Sequence, residues 1–156
     1  MLRSAFNAPV VDGLAQGCFR ELLALGTARG GIDSIDVPGA FELPLAARAA
    51  AQSGRYDAIV ALGAVIRGDT DHYEHIARES ASGLARASLE SGVPVAFGVL
   101  TVRKEAQALA RSRPGPSNKG AEAARAAVAM VHVLKSLSGP SRRRGARRGS
   151  TRRSRR

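Results

Sequence analysis

The chain has 156 residues, of which 44% are hydrophobic and 4% aromatic, and it carries a formal net charge of +11. This length and apolar content indicate one folded domain with an aliphatic core and exclude a wholly disordered protein. No apolar run approaches the roughly 20 residues that span a bilayer, no signal peptide is recognisable, and the single Cys18 excludes an internal disulfide, so we expect a cytoplasmic protein.

Helix and strand patterns alternate along the chain. Apolar residues recur at helical spacing in five segments, which predicts helices at 14–25, 44–52, 73–91, 104–111 and 120–137. Residues 32–37 alternate between apolar and polar side chains, as in a half-buried strand. Continuous apolar runs at 58–66 and 93–100 are typical of strands that are covered on both faces.

This alternation predicts an α/β fold, a three-layer sandwich around a central parallel sheet. A doubly wound domain would have a further strand before Phe6, where only five residues stand, so we expect a truncated first strand. Ligands of such sheets collect at the carboxyl ends of the strands. Three polar segments follow predicted strands, namely 38–42, 67–72 and the stretch from Thr101 onward, and we expect them to form the functional site.

Segment 63–72 (Gly-Ala-Val-Ile-Arg-Gly-Asp-Thr-Asp-His) runs from an apolar strand into a polar turn before a helix. Free amides at a helix start suit an anionic ligand, and His72 could exchange a proton near neutral pH. A lone histidine in a loop is more often an ordinary surface residue. A metal site at His72, His75, Asp69 and Asp71 is a minor alternative, because no third cluster supports it.

Residues 138–156 contain nine Arg and no acidic residue, and we predict that they form a disordered tail after a folded domain at 1–137. Without this tail, basic residues outnumber acidic ones by only two. The arginines could bind nucleic acid non-specifically through its phosphates, with steep salt dependence. A solvated extension is the favoured alternative, and no sequence-specific nucleic acid partner and no membrane contact are expected.

Four motifs in the same order and at matching separations resemble those of the lumazine synthase family. They are 37–44 (Val-Pro-Gly-Ala-Phe-Glu-Leu-Pro), 63–72, 92–101 (Gly-Val-Pro-Val-Ala-Phe-Gly-Val-Leu-Thr) and 118–120 (Asn-Lys-Gly). The resemblance covers residues 5–137 and implies a flavodoxin-like fold. It also implies condensation of 5-amino-6-(D-ribitylamino)uracil with 3,4-dihydroxy-2-butanone 4-phosphate to 6,7-dimethyl-8-ribityllumazine in riboflavin biosynthesis, with release of phosphate and water and without a cofactor.

The resemblance implies a role for each matching residue. His72 aligns with the catalytic histidine. The implied substrate-binding residues are Phe6, which stacks on the pyrimidine; Ala40, Phe41 and Glu42, which hold the ribityl chain; Ala64, Val65 and Ile66, which line the heterocycle; Asp69 and Thr70 in the phosphate turn; Phe97, which contacts the ring; and Arg111, which clamps the phosphate.

Plain structural interpretations stay open beside these roles. Phe6 and Phe97 could be core aromatics, and Glu42 could merely compensate a helix dipole. The carboxylate of Asp69 would repel phosphate, so we expect it to turn away and cap the following helix. Arg113 competes with Arg111 for the phosphate.

The family assembles as pentamers, and some members form icosahedral shells of 60 subunits, with active sites between neighbouring subunits. We therefore expect a homo-oligomer with small-molecule substrates, in which Phe6 and His72 of one chain serve different sites. A shell-forming relative without catalysis is a further alternative, which the short first strand raises.

Overall fold

A computed structural model describes residues 1–139, so nearly all of the predicted tail at 138–156 lies outside the described residues. This part of the chain has four strands and five α-helices, and none of its helices is long and apolar enough to cross a membrane. In chain order they are β1 (Leu2–Ser4), α1 (Ala8–Ala24), β2 (Ile35–Val37), α2 (Leu43–Gln52), β3 (Ile59–Ile66), α3 (His72–Ser91), β4 (Val95–Val102), α4 (Glu105–Ser112) and α5 (Lys119–Leu137).

The predicted helices and strands are all present, with shifted ends. Helix α1 begins six residues earlier than predicted, because Pro9 stands in its first turn, where a missing N–H costs nothing. The predicted strand at 32–37 is confirmed only over β2, since residues 29–31 form a short 3₁₀ helix and residues 32–34 are irregular.

The strands form one parallel sheet in the order β2-β1-β3-β4. Strand β1 is only three residues long, yet it lies inside the sheet, where Leu2 pairs with Ile35 on one side and with Ala61 on the other. Among the strands of residues 1–139, β4 pairs only with β3 and forms one edge of the sheet. The predicted α/β sandwich with a short first strand is therefore confirmed.

Two apolar cores lie on opposite faces of the sheet. Alternate residues of β3 point to each core, with Leu62 in the core beneath α1, α4 and α5, and Ala61 in the core beneath α2 and α3. Burial on both faces explains the continuous apolar run of this strand. Cys18 packs in the first core, and burial raises the pKa of its thiol to about 11, so the side chain stays protonated and apolar.

Helices α1 and α5 approach closely in the first core because glycine stands at the contact. A Cβ atom on Gly120 would overlap the backbone of Leu14. The buried Asn118 next to it caps α5, with its Oδ1 accepting from the N–H of Ala121 at 3.0 Å, and its Nδ2 donates to the carbonyl of Ser112 at 2.8 Å. This capping ties the loop after α4 to the start of α5.

We predict that Gly120→Ala lowers the free energy of unfolding by about 1–3 kcal/mol, because a well-packed contact must open to admit the methyl group. Gly30→Ala is the matched control, since a Cβ atom there meets no heavy atom within 4 Å. Urea unfolding of both variants at one protein concentration measures the difference. Equal stability of the two variants would show that the α1–α5 contact is looser than described.

Candidate functional site

The turns after β1, β2 and β3 meet at the carboxyl edge of the sheet and line an open cavity of about 650 Å³. Parallel sheets bind ligands at this edge, and the volume suits a small molecule. We call this space the edge cavity. Its lining residues are Phe6, Asn7, Gly39, Ala40, Phe41, Glu42, Ala64, Val65, Ile66, Gly68, Thr70, His72, Tyr73, His75 and Ile76.

Most of the residues predicted for the site lie together in the edge cavity. His72 is among them, with Phe6, Ala40, Phe41, Glu42, Ala64, Val65, Ile66 and Thr70. Asp69 is not, although its neighbours on both sides are. The expectation that Phe6 and His72 of one chain serve different sites is wrong, because both line this cavity: β1 and β3 are adjacent in the sheet and end at the same edge.

Two exposed aromatic rings flank the edge cavity. The exposed fraction is 70% for Phe6 and 55% for Phe41, whereas Ala64 and Val65, which also line the cavity, are buried. The alternative that Phe6 is a core aromatic is therefore wrong. Exposed rings beside an apolar floor can stack on a flat ligand ring and remove apolar surface from water.

Asn7 shapes the turn that presents Phe6. It is the one residue other than glycine with a positive φ in residues 1–139, at φ 60° and ψ 42°. Asparagine tolerates this left-handed conformation better than most residues. Its Nδ2 donates to the carbonyl of Ala64 at 2.8 Å and so joins the start of α1 to β3. The sequence shows Asn7 directly after Phe6, but it did not predict the hydrogen bond from Asn7 to the Ala64 carbonyl.

Glu42 stands at the N-cap of α2 and makes no side-chain capping bond. Its carboxylate lies over Gly39, where a Cβ atom would come within 3.0 Å of Oε2. Within residues 1–139 the carboxylate has no hydrogen-bond partner, so both oxygens can accept bonds from a ligand. A polyol with several hydroxyl donors fits this arrangement.

The polar turn before α3 brings Thr70 and His72 to the edge cavity, beside helix amides that have no intrahelical partner. Asp71 is the N-cap and its side chain accepts no capping bond, and within residues 1–139 the Asp69 carboxylate accepts no hydrogen bond either. The predicted capping by Asp69 is therefore not supported, since the turn leaves its side chain exposed to solvent.

His75, one turn after His72 on α3, also lines the edge cavity. Tyr73 and Ile76 line it as well. Sequence reasoning considered His75 only as a metal ligand and missed the other two. For His75 and Ile76 the signal was available, because residues three or four positions after His72 share its face of the helix; Tyr73, the next residue, does not have this spacing. Across residues 1–139 no group of three or more His, Cys, Asp or Glu side chains is arranged to hold a metal ion.

Phe97 and Arg111 line a different cavity of about 320 Å³, along the free edge of β4 and against α5. Lys119 joins them there, and Arg113 does not line this cavity. We call it the β4 cavity. Phe97 is 47% exposed, so it is not a core aromatic.

The two cations of the β4 cavity have protein partners in the single chain. The guanidinium of Arg111 donates to the carbonyl of Gln107 at 2.9 Å. Lys119 pairs with Glu122 at 2.5 Å, and this bond lowers the pKa of the Glu122 carboxyl. Both pairs are exposed to solvent, where such contacts contribute little energy, so an anionic ligand could replace them.

An apolar groove of about 470 Å³ continues the β4 cavity, with which it shares Phe97. Leu89 and Met130 line this groove and are 85% and 44% exposed. An unpaired strand edge with exposed apolar residues is typical of a protein–protein contact.

We predict that Asn7→Ala destabilises the fold more than Asn7→Gly, by about 1 kcal/mol. Both substitutions remove the bond to the Ala64 carbonyl, but only alanine adds the strain of a left-handed backbone. Thermal unfolding of the two variants under one buffer condition measures the difference. Identical midpoints would mean that the turn relaxes out of the left-handed conformation.

The amino-acid sequence also matches a known protein family. The family model described as 6,7-dimethyl-8-ribityllumazine synthase matches residues 1–135. The matched range includes every predicted site residue, from Phe6 to Arg111, and ends within α5.

Proposed function

Since the chain belongs to the 6,7-dimethyl-8-ribityllumazine synthase family of transferases in riboflavin biosynthesis, we propose that it condenses 5-amino-6-(D-ribitylamino)uracil with 3,4-dihydroxy-2-butanone 4-phosphate. The observation that carries this proposal is the edge cavity. It combines two exposed aromatic rings, an unpartnered carboxylate and a histidine, and each suits one part of these substrates. We place the reaction in the cytoplasm.

The aminouracil occupies the apolar part of the edge cavity in this proposal. Its flat ring stacks on Phe6 and lies against the strand end at Ala64, Val65 and Ile66. The ribityl chain extends toward the turn after β2, where the Glu42 carboxylate accepts hydrogen bonds from its hydroxyls. Ala40 and Phe41 complete this side.

The phosphate of the second substrate needs positive charge, which the edge cavity itself does not supply. Within residues 1–139 no Arg or Lys lines it; Arg67 and the carboxylates of Asp69, Asp71 and Glu74 lie on the turn and first helical turn beside it. Amides at the start of α3 and the Thr70 hydroxyl can hold part of the phosphate. A guanidinium that binds the phosphate through two N–H groups would supply the positive charge that these groups do not.

We propose that a neighbouring copy of the chain supplies this guanidinium. Arg111, Phe97 and Lys119 already stand together in the β4 cavity, next to an exposed apolar groove. Docking the β4 cavity of one subunit against the edge cavity of the next would bring the phosphate clamp to the histidine. Such a head-to-tail contact closes into a ring, here a homo-pentamer, which could assemble further into a 60-subunit shell.

The reaction in this site begins when the ring amine of the aminouracil attacks the ketone and forms an imine with loss of water. Phosphate then leaves by elimination, and the ring closes with loss of a second water. Holding both substrates side by side supplies most of the acceleration, because it converts a bimolecular step into an effectively unimolecular one. His72 transfers protons and adds about 10²-fold.

We predict that His72→Ala lowers kcat by about 10²-fold and still forms the product, whereas Arg111→Ala mainly raises KM for the phosphate substrate. Arg113→Ala is the matched control and should change neither constant. The fluorescence of the lumazine product follows each reaction. A His72→Ala protein that folds but has no activity would contradict the proposal that holding the two substrates side by side supplies most of the acceleration.

We also predict that two impaired variants gain activity when their subunits are mixed and assayed at a phosphate-substrate concentration below the raised KM. Glu42→Ala damages the edge cavity and Arg111→Ala the β4 cavity, so a mixed ring contains sites with both halves intact, about a quarter of all sites at equal mixing. The two proteins are unfolded together, refolded, and assayed for the product. If each site belonged to one chain, the mixture would be no more active than its parts.

A further inference from the structure

Ser80 lies in the middle of α3 with no exposed surface, and its hydroxyl reaches across to the turn after β2. Its Oγ is 2.9 Å from the carbonyl oxygen of Ala40, a residue 40 positions earlier in the chain. The same Oγ is 2.6 Å from the carbonyl of Ile76, one turn back in its own helix. A hydroxyl has one hydrogen to donate, so the two carbonyls compete for it.

The Ala40 carbonyl has the greater need of that hydrogen. The Ile76 carbonyl already belongs to the hydrogen-bond ladder of α3. The residue four positions after Ala40 is Pro44, which has no N–H, and no backbone N–H in the described turns and loops donates to the Ala40 carbonyl. Ala40 is buried, so water does not easily replace the missing donor.

Close packing of α3 on the start of α2 makes this bond possible. Gly83 lies one turn after Ser80 on the same face of α3, and a Cβ atom there would come within 2.6 Å of the Pro44 side chain. Leu84 on this side is buried in the core beneath α2 and α3. The glycine therefore lets α3 approach near enough for the Ser80 hydroxyl to reach the turn.

We propose that Ser80 is a positioning residue that holds the turn at residues 39–42 in the conformation that binds the ribityl chain. Ser80 does not line the edge cavity, whereas Ala40, Phe41 and Glu42 of the turn do. The hydroxyl fixes the direction of the Ala40 carbonyl and, through it, the backbone that carries Phe41 and Glu42. The identity of the bound substrate in this role rests on the proposed function. The effect of Ser80 on the conformation of the turn does not depend on it.

The test compares Ser80→Ala with Ser91→Ala in the full chain. Ser91 is the control, because it stands on the same helix and its hydroxyl makes the same bond one turn back, to the Ala87 carbonyl at 2.6 Å, without reaching the turn after β2. Ser91 is half-buried, and its Oγ also accepts from the Val93 N–H at 3.2 Å. For Ser80→Ala we expect KM for the aminouracil to rise about three- to tenfold, the effect of losing one orienting hydrogen bond. In Ser80→Ala, kcat and the KM for the phosphate substrate stay unchanged. Ser91→Ala changes neither kcat nor the KM for either substrate.

Hydrogen exchange gives a readout that needs no substrate. The Glu42 amide donates to the Gly39 carbonyl at 3.3 Å within the turn, and its exchange should accelerate in Ser80→Ala but not in Ser91→Ala. Should Ser80→Ala fail to fold, Ser80→Cys keeps a similar volume with a weaker donor, and the same changes in smaller size are expected.

The outcomes separate the inference from the function on which it draws. If the native chain forms no lumazine but the Glu42 amide exchanges faster in Ser80→Ala, the proposed function fails and the positioning role stands. If the native chain forms the product and Ser80→Ala matches it in KM and in exchange, the positioning role is overturned. Equal changes in Ser80→Ala and Ser91→Ala would overturn it as well, because they would reflect general loosening of α3.

Discussion

Parallel pairing of β1 with both of its neighbours is the constraint on which the site depends. Because β1, β2 and β3 run in the same direction, their following turns must leave the sheet at the same edge. This pairing alone brings Phe6, Glu42 and His72 to one cavity from positions far apart in the chain. The three residues of β1 are enough for this pairing, because β2 and β3, the strands on its two sides, are each at least as long as β1.

The turns themselves are held in place by side chains that bond to backbone carbonyls of other elements. Asn7 binds the Ala64 carbonyl at the end of β3, and Ser80 binds the Ala40 carbonyl after β2. Both bonds give a donor to a buried or half-buried carbonyl that no strand or helix ladder satisfies. Loops that carry ligand-binding residues need such support, because regular hydrogen bonding ends where they begin.

Charge differs between the edge cavity and the β4 cavity. Carboxylates of Asp69, Asp71 and Glu74 lie near the start of α3, with Arg67 on the same turn, whereas Arg111 and Lys119 line the β4 cavity. Under the proposed function, a cation from outside the edge cavity would offset the repulsion between the anionic phosphate and these carboxylates. The exposed apolar groove next to β4 offers a surface through which a second copy could bring one.

Periodicity and residue type were enough to predict the α/β order of elements, the buried character of β3, and the gathering of residues 38–42 and 67–72 at one edge. These features depend on local hydrophobic pattern and on the geometry of parallel sheets, which the order of residues carries directly. The expectation that the stretch from Thr101 onward joins residues 38–42 and 67–72 in one cavity of the chain is wrong, because Thr101 lines the β4 cavity. The same reasoning could not find the bond from Ser80 to Ala40, the left-handed turn at Asn7, or the separation of Arg111 from His72. Those depend on distances between segments 39 to 57 residues apart, and only the packing of helices on both faces of the sheet sets such distances.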